Sequence, residues 1–416
     1  MRIRDLISYN NGILQIGGDQ YSLDDDPVWV IGAGKAAHTM ASSLEDVLGD
    51  VISGGFIISQ RGVAFHSSRI KCMGGDHPLP SDASLAASLE LDRTIGQIPP
   101  NALVIALISG GTSSLVTIPP IGIRIDDVAQ TVDVLLKSGA GISEINAVRR
   151  HLCQLKGGRL AQKLQARRLV SLIYSDVPGD RLHDIGSGLT VPDPSHFVDA
   201  LEVLDRYRLR STTPDPVLRY LLEGVDGLHP ETPKPQTDMG ISHQVVMLGS
   251  SGLLADQVVV QAVTMGYQSE AIHPAYDTTA RQQAEVIAAK VKECAGYASK
   301  SQVIVYHGES RVHVTGNGKG GRNQELALLV LLALEEISVP WTLMSVGTDG
   351  IDGNTDAAGA FVYNGLLSVA SQLGYTPESY LHNNDSYHFF ESIDTLIRTG
   401  PTGNNMTDLQ ILIIEP

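Results

Sequence analysis

One local unit recurs along this chain: a short apolar run rich in β-branched residues, then a loop of Gly, Ser or Asp, then a helical pattern. Val28-Trp29-Val30-Ile31 runs into Gly32-Ala33-Gly34-Lys35, and Leu103 to Ile108 into Ser109-Gly110-Gly111-Thr112-Ser113. Leu172-Ile173-Tyr174 runs into Ser175-Asp176-Val177-Pro178-Gly179-Asp180, Val245 to Leu248 into Gly249-Ser250-Ser251-Gly252, and Leu343 to Val346 into Gly347-Thr348-Asp349-Gly350. Strand, loop and helix in this repeated order predict an α/β fold. Runs that are apolar throughout are buried on both faces, as in a parallel sheet covered by helices. Ligands of such sheets bind beyond the carboxyl ends of the strands, where these loops lie and where glycine lets main-chain N–H groups approach an anion.

The 416 residues predict two or three domains at roughly 150 residues each. Pro214, Pro216, Pro230, Pro233 and Pro235 interrupt regular structure between Thr212 and Met239, and a boundary there divides the chain into domains 1–228 and 240–416. The second half also carries a β-rich stretch, Val303 to Val314, the glycine loop 316–322, and a helix that starts near Asn323 and runs through the apolar Leu326 to Leu334.

Thirty Lys and Arg against 46 Asp and Glu leave a net charge of -16, which excludes nonspecific attraction to nucleic acid or to an anionic bilayer. An anionic ligand then needs a local positive site. Residues 145–175 supply one candidate: Arg149, Arg150, His151, Lys156, Arg159, Lys163, Arg167 and Arg168 occur there without an Asp or Glu. A solvated helix face accounts for the outer members Lys163, Arg167 and Arg168. Arg149, Arg150, Lys156 and Arg159 lie nearer the turn into the next strand and are expected to face an anion. The three cysteines, Cys72, Cys153 and Cys294, lack metal-site spacing and fit a reduced compartment. The first residues, MRIRDLISYN, lack a signal-peptide pattern, and the longest apolar run is about half a membrane span, so the expected location is the cytoplasm.

Gly32-Ala-Gly34-Lys-Ala-Ala37 fits the relaxed dinucleotide fingerprint in the required strand-to-helix context. The acid that should follow the next strand is missing: Gly55 to Ser59 is followed by Gln60-Arg61, which counts against NAD and leaves an opening for NADP through Arg61. A plain tight turn is the alternative, but Lys35 at the helix start adds a charge suited to phosphate. Neither Gly34-Lys35 nor Gly318-Lys319 has the offset glycine of a P-loop, and Gly111-Thr-Ser113-Ser-Leu115 lacks the closing glycine of a nucleophile elbow. Asp349, Asp352 and Asp356 in the loop from Gly347 can hold a hard cation or can simply form Asp-Gly turns.

In this order the motifs resemble the class II glycerate 2-kinase family, also called the glycerate kinase and MOFRL family, some of whose members carry the label hydroxypyruvate reductase. The matching segments are GAGKAA at Gly32, GGDHPLP at Gly74, LISGGTSSL at Leu107, SGAGISEINAVRRHLCQLKGGRLA at Ser138 and SDVPGD at Ser175. They continue with IGSGLTVPDPS at Ile185, GKGGRNQELAL at Gly318, GTDGIDGNTDAAGA at Gly347, NDSYHFF at Asn384 and TGPTGNNMTDL at Thr399. The family usually has glycine where Thr112 stands, Ala-Ser-Gly-Pro where Gly186 to Leu189 stand, and threonine where Asn404 stands; Thr112 is expected to narrow its loop.

The resemblance implies a Rossmann-like N-terminal α/β domain with a mostly parallel sheet, a smaller α/β C-terminal domain of MOFRL type, and an active site in the interdomain cleft. It implies transfer of the γ-phosphoryl group of ATP to the 2-hydroxyl of D-glycerate with Mg²⁺, by a monomer or homodimer. The family's functional lysine and arginine fall on Lys35 and Arg322, which suits a reaction governed by positioning and charge. Asp176, at a strand end, is the first candidate for the general base, with Asp349 or Asp352 for Mg²⁺, and these roles are exchangeable at this level. Nucleotide or substrate contacts are assigned to Gly32, Gly34, Ser109, Gly110, Gly111, Ser113, Arg149, Lys156, Asn323, Glu325, Gly400, Thr402 and Gly403. The competing functions are an NAD(P)H-dependent hydroxypyruvate reductase and a kinase for a related sugar acid.

Overall fold

The computed structural model describes residues 3–23, 26–294, 300–402 and 405–415. The chain forms two compact units, Met1–Ser175 with Asp180–Leu248, and Asp176–Gly179 with Gly249–Pro416.

The first unit opens with a small antiparallel sheet of β1 (Ile7–Asn10), β2 (Ile13–Ile16) and β3 (Asp19–Ser22). Its main sheet contains β4 (Val28–Ala33), β5 (Ile52–Gln60), β6 (Ile70–Gly75), β7 (Leu103–Ile108), β8 (Arg168–Tyr174) and β9 (Ser242–Gly249). The spatial order is β6-β5-β4-β7-β8-β9, with the first five strands parallel to their neighbours. Numbered by appearance in this sheet the order is 3-2-1-4-5-6, that of a dinucleotide-binding fold, and the order reverses between β4 and β7. β7 is buried at every position, as expected for a strand covered on both faces. Helix Ala37–Leu48 buries Ala37, Met40, Ala41, Leu44 and Leu48, one helical stripe, against Val30, Ile57 and Ile105 of the sheet. A second core joins helices Ile125–Lys137, Ile142–His151, Phe197–Arg206 and Asp215–Val225.

The proline-rich stretch belongs to this unit. Glu231 accepts from His151 Nε2 at 3.1 Å and from the Phe197 N–H at 2.9 Å, and Pro233 O accepts from Asp193 N at 2.8 Å. The strand β9, expected by sequence in the second domain, is instead the sixth strand of the first sheet, with Leu248 in its core. The prolines break secondary structure without ending the unit, because side-chain and main-chain hydrogen bonds hold the segment to its helices.

The second unit has a mixed sheet of β10 (Gln268–Thr279), β11 (Gln302–Arg311), β12 (Trp341–Gly347), β13 (Gly359–Tyr363), β14 (Leu396–Ile397) and β15 (Asp408–Ile414), in the order β10-β11-β15-β12-β13-β14. Only β10 and β11 pair in parallel. Val303 and Val305 pack against helix Ser251–Thr264, whereas the alternating Ile304 and Tyr306 pack against helices Ala280–Cys294 and Arg322–Ala333. The apolar run Leu326 to Leu334 is therefore core. Among the described residues no helix is long and apolar enough to cross a membrane.

Candidate functional site

In the first unit the loops after β4 and β7 meet where the strand order reverses. Lys35 N donates to Gly110 O at 2.8 Å, Ser109 N to Ala33 O at 3.2 Å, and Ala36 N to Ser109 Oγ at 3.1 Å. Gly34 has φ +134°, and a Cβ there would overlap Ser109 Oγ, so only glycine allows this junction. Gly32 serves a related purpose inside the sheet, where a side chain would strike Leu107 O. Gly111, at φ +84°, lies under two side chains: a Cβ there would stand 3.1 Å from Lys35 Cγ and 3.3 Å from His77 Cδ2. The Lys35 side chain is exposed and has no hydrogen bond or ion pair among the described residues. The N–H groups of Gly110 and Gly111 likewise make no main-chain bond among the described residues, which leaves an open donor pair beside a cation.

Thr112 does not narrow this loop. Its hydroxyl donates to Ala33 O at 2.6 Å and Ser109 O at 2.7 Å, and its methyl packs towards Gly186, so the side chain is buried beneath the turn and braces it. Ser113 Oγ is 2.8 Å from Ser187 Oγ, which donates to Asn146 Oδ1 at 2.8 Å, tying the loop to helix Ile142–His151.

The basic stretch is mostly spoken for, contrary to the expectation that its four inner members face an anion. Arg150 pairs with Asp193 at 2.7 Å and Asp184 at 3.3 Å. Arg159 donates to the carbonyls of Arg150 at 2.8 Å and Cys153 at 3.1 Å, closing the end of the helix. Lys156, 1% exposed, donates to Val116 O at 2.6 Å and Thr117 Oγ1 at 3.0 Å, and burial pushes its ammonium down to about 8. Arg149 differs: it is 8% exposed and its side chain has no hydrogen bond or ion pair among the described residues. Burial lowers its guanidinium to about 10, still charged at neutral pH.

Sequence reasoning gave His77 no role. Partial desolvation against the loop, then the positive charges of Lys35 and Arg149, push its imidazole down to about 4. It is neutral at pH 7 and can donate and accept. A histidine beside proline in GGDHPLP carries no spacing signal. Only its placement by the end of β6 against Gly111 reveals it.

In the second unit Arg322 begins helix Arg322–Ala333. Its Nε donates to Asp408 Oδ2 at 2.8 Å and one terminal nitrogen to Glu309 Oε1 at 2.6 Å. Burial would lower the guanidinium, but Asp408 and Glu309 hold it above its ordinary value. Asp408 is wholly buried, and burial raises its carboxyl against the opposing pull of Arg322. Burial likewise raises Glu309, and the negative charges of Asp408 and Asp176 add to the effect, so Asp176 shares this electrostatic environment. A cavity of about 630 Å³ is lined by Glu309, Arg322, Glu325 and Asn384 together with the glycine loop.

Several candidates here also carry the scaffold of the site. Asp352, 2% exposed, accepts from Asn323 N at 3.1 Å and Gln324 N at 2.9 Å, satisfying two free donors at the helix start. Asp352 is therefore engaged as a helix cap, and burial pushes its carboxyl up to about 6. Asn323 donates to Asp352 and Asp408 while accepting from Ser345 Oγ at 2.8 Å and Gln410 Nε2 at 3.3 Å, so its amide is filled from inside. Glu325 accepts from Asn384 Nδ2 at 2.9 Å and is raised by burial. The glycine loop gives its donors to the next motif: Gly316 N to Asn384 Oδ1 at 2.9 Å, Gly318 N to Asn383 O at 2.9 Å, Lys319 N to Asp385 Oδ1 at 2.8 Å. Asn384 and Asp385 are thus site-shaping residues that sequence reasoning left without a role. Asp349 Oδ1 accepts from Ile351 N at 3.1 Å, and among the described residues Oδ2 has no hydrogen bond. Thr402 N donates to Asp349 O at 2.9 Å and Thr402 Oγ1 to Thr348 O at 2.7 Å, fastening the two loops together. Gly400, at φ +68°, places its carbonyl against Gly350. Gly403 lies outside the described residues. Among the described residues no three His, Cys, Asp or Glu side chains form a ready-made metal cage.

A family model described as a domain of unknown function, DUF4147, matches residues 3–222, and the MOFRL family matches residues 302–408. A D-glycerate 2-kinase of Thermotoga maritima is 38% identical over 94% of this chain and 92% of its own length. A protein of Agrobacterium vitis called a putative hydroxypyruvate reductase is 38% identical over 92% of this chain and 98% of its own. The crystal structure of glycerate kinase from Thermotoga maritima matches with a TM-score of 0.83 at 38% identity, over 94% of this chain and 92% of that one. Fold and relatives together define an α/β phosphotransferase. The chain belongs to the glycerate kinase family, built from DUF4147 and MOFRL domains, some members of which are named hydroxypyruvate reductase.

Proposed function

We propose that this protein transfers the γ-phosphoryl group of ATP to the 2-hydroxyl of D-glycerate, giving 2-phosphoglycerate and ADP. The observation that carries the reading is Lys35, exposed and unpaired where the strand order reverses, beside the open N–H groups of Gly110 and Gly111. A cation and main-chain donors at such a point suit the charge of a phosphoryl group or a carboxylate. In the reaction the 2-hydroxyl oxygen forms a bond to phosphorus as the bond to the ADP oxygen breaks. The hydroxyl proton passes to a carboxylate, for which Asp176 is the proposed acceptor. Charge spreads over three equatorial oxygens, so the residues contribute by position and sign: Lys35 freely, Arg322 fixed in direction by Asp408 and Glu309.

Mg²⁺ on the nucleotide phosphates would neutralise charge there, and it commonly needs only one or two protein carboxylates. Asp349, with one oxygen open, fits that requirement; Asp352, enclosed and engaged with main-chain donors, does not. The cytoplasm suits this activity and the three free cysteines.

The reductase reading draws on the 3-2-1-4-5-6 strand order, the Gly32 fingerprint and the name of the Agrobacterium vitis relative. The end of β5 argues against it. Gln60 stands where a ribose-binding acid belongs, and Arg61, the cation that the sequence offered for a 2′-phosphate, is paired with Asp76 at 2.7 Å. The deciding experiment supplies Mg-ATP and D-glycerate and presents the product to enolase, with NAD(P)H and hydroxypyruvate in parallel. Product that enolase accepts directly supports 2-phosphorylation; product that first needs a mutase means 3-phosphorylation. Oxidation of NAD(P)H without ADP release would reject the kinase reading.

A further inference from the structure

Arg149 stands out because its side chain is largely enclosed and has no protein partner among the described residues, while none of its nitrogens is fully shut off from solvent, so the guanidinium is left open to an incoming anion. The chain had many acids with which to neutralise it, as it does for Arg150 through Asp184 and Asp193. None faces Arg149 among the described residues, although it is 8% exposed. Its position is defined by the helix: Arg149 follows Asn146 by three residues, so the two side chains share a face. Asn146 is joined through Ser187 to Ser113, in the loop after β7. That face therefore looks towards the loop where Lys35 and His77 flank Gly111. Both Lys35 and Arg149 act electrostatically on His77, which puts each cation within reach of the imidazole. Two cations and one neutral imidazole thus converge, with no counter-anion for either cation among the described residues.

We propose that Arg149, seconded by Lys35 and His77, is the receptor for the acceptor's carboxylate and restricts the enzyme to small 2-hydroxy acids. This rests on the glycerate kinase reading. A planar guanidinium meets a planar carboxylate through two parallel N–H bonds, and its near-complete enclosure admits a small anion better than a polyphosphate. Neutral His77 has an N–H to offer the adjacent hydroxyl. An alcohol without the carboxylate would give Arg149 no anion to pair with, so it would bind far less well.

The test compares the full-length protein with Arg149→Met, measuring thermal shift and calorimetric binding with D-glycerate, glycerol and ADP, and then steady-state kinetics. D-Glycerate, not glycerol, should stabilise the wild type. In R149M that shift should vanish while ADP binding persists, and the KM for D-glycerate should rise by about 100-fold, as expected for loss of a charged hydrogen-bonded pair. The unliganded variant should keep the wild-type melting temperature, because Arg149 has no protein partner among the described residues to lose. Should R149M not fold, Arg149→Lys serves: its point charge should raise the D-glycerate KM about tenfold and spare that of ATP. A variant that loses ADP binding but keeps D-glycerate would overturn the proposal in favour of a nucleotide phosphate, as would failure of D-glycerate to shift the wild type. A wild type that binds D-glycerate through Arg149 yet transfers no phosphoryl group would refute the kinase reading alone.

Discussion

Arg322 Nε and Asp408 Oδ2 lie 2.8 Å apart although 86 positions separate them in the chain. One residue opens a helix and the other opens the central strand β15, so the ion pair exists only when both elements are in place. Asp408 is wholly buried and also accepts from Asn323, which makes it the post that aims Arg322. Asp408→Asn should leave Arg322 charged but misdirected. The expected result is at least a tenfold fall in kcat and a loss of about 3 kcal/mol in denaturant unfolding, the usual scale for breaking a buried pair. Full activity with normal stability would show that Arg322 needs no such support.

Lys35 gives the opposite pattern. Being exposed and unpaired, it contributes little to folding, so Lys35→Ala should keep the wild-type melting temperature. Turnover should fall by about 100- to 1,000-fold, the range for removing one group that stabilises developing charge. Retention of normal turnover would remove Lys35 from the reaction.

For Asp352 the measurement separates a cap from a metal ligand. Asp352→Ala should cost about 1–2 kcal/mol of stability through two orphaned N–H groups at the helix start. The Mg²⁺ concentration giving half-maximal rate should stay where it is. A large rise in that concentration would restore Asp352 as a ligand.

Acid should destabilise the first unit through His243. Burial beside Ser171, whose Oγ is 2.9 Å from Nε2, lowers this imidazole from 6.5 to about 4 in the folded chain. The unfolded chain therefore takes up a proton first, and stability present above pH 6.5 is lost as pH falls towards 4, by on the order of 2 kcal/mol. Melting temperatures recorded from pH 8 to pH 4 should decline over that window. His243→Gln should flatten the decline, and an unchanged slope would mean that other groups cause it.

Gly111→Ala tests the loop geometry. Its φ of +84° strains any side chain, by about 1 kcal/mol, and the new methyl would press on Lys35 Cγ and His77 Cδ2. Substrate KM should rise more than stability falls. An unchanged KM would assign the glycine to the turn alone.

Local pattern determined much of this protein. The alternation of apolar run, glycine loop and helical stripe is a short-range property, so the α/β class, the buried strands and the strand-end loops at Gly32 and Ser109 were legible from residue order. What a side chain does once it reaches its place was not. Arg149 and Arg150 are adjacent and chemically identical, yet a helix turns them about 100° apart, one onto Asp184 and Asp193 and the other onto no acid. Asp349 and Asp352 look like a cation pair in sequence, but helix Arg322–Ala333 ends its free donors on Asp352 alone. The same holds at the proline-rich stretch, where β9 joins the first sheet because its partner strand, not its preceding loop, decides where it pairs. Periodicity is carried by neighbours along the chain, whereas charge neutralisation and hydrogen-bond satisfaction depend on residues brought near by folding, and only the tertiary structure shows which cations were left without an anion.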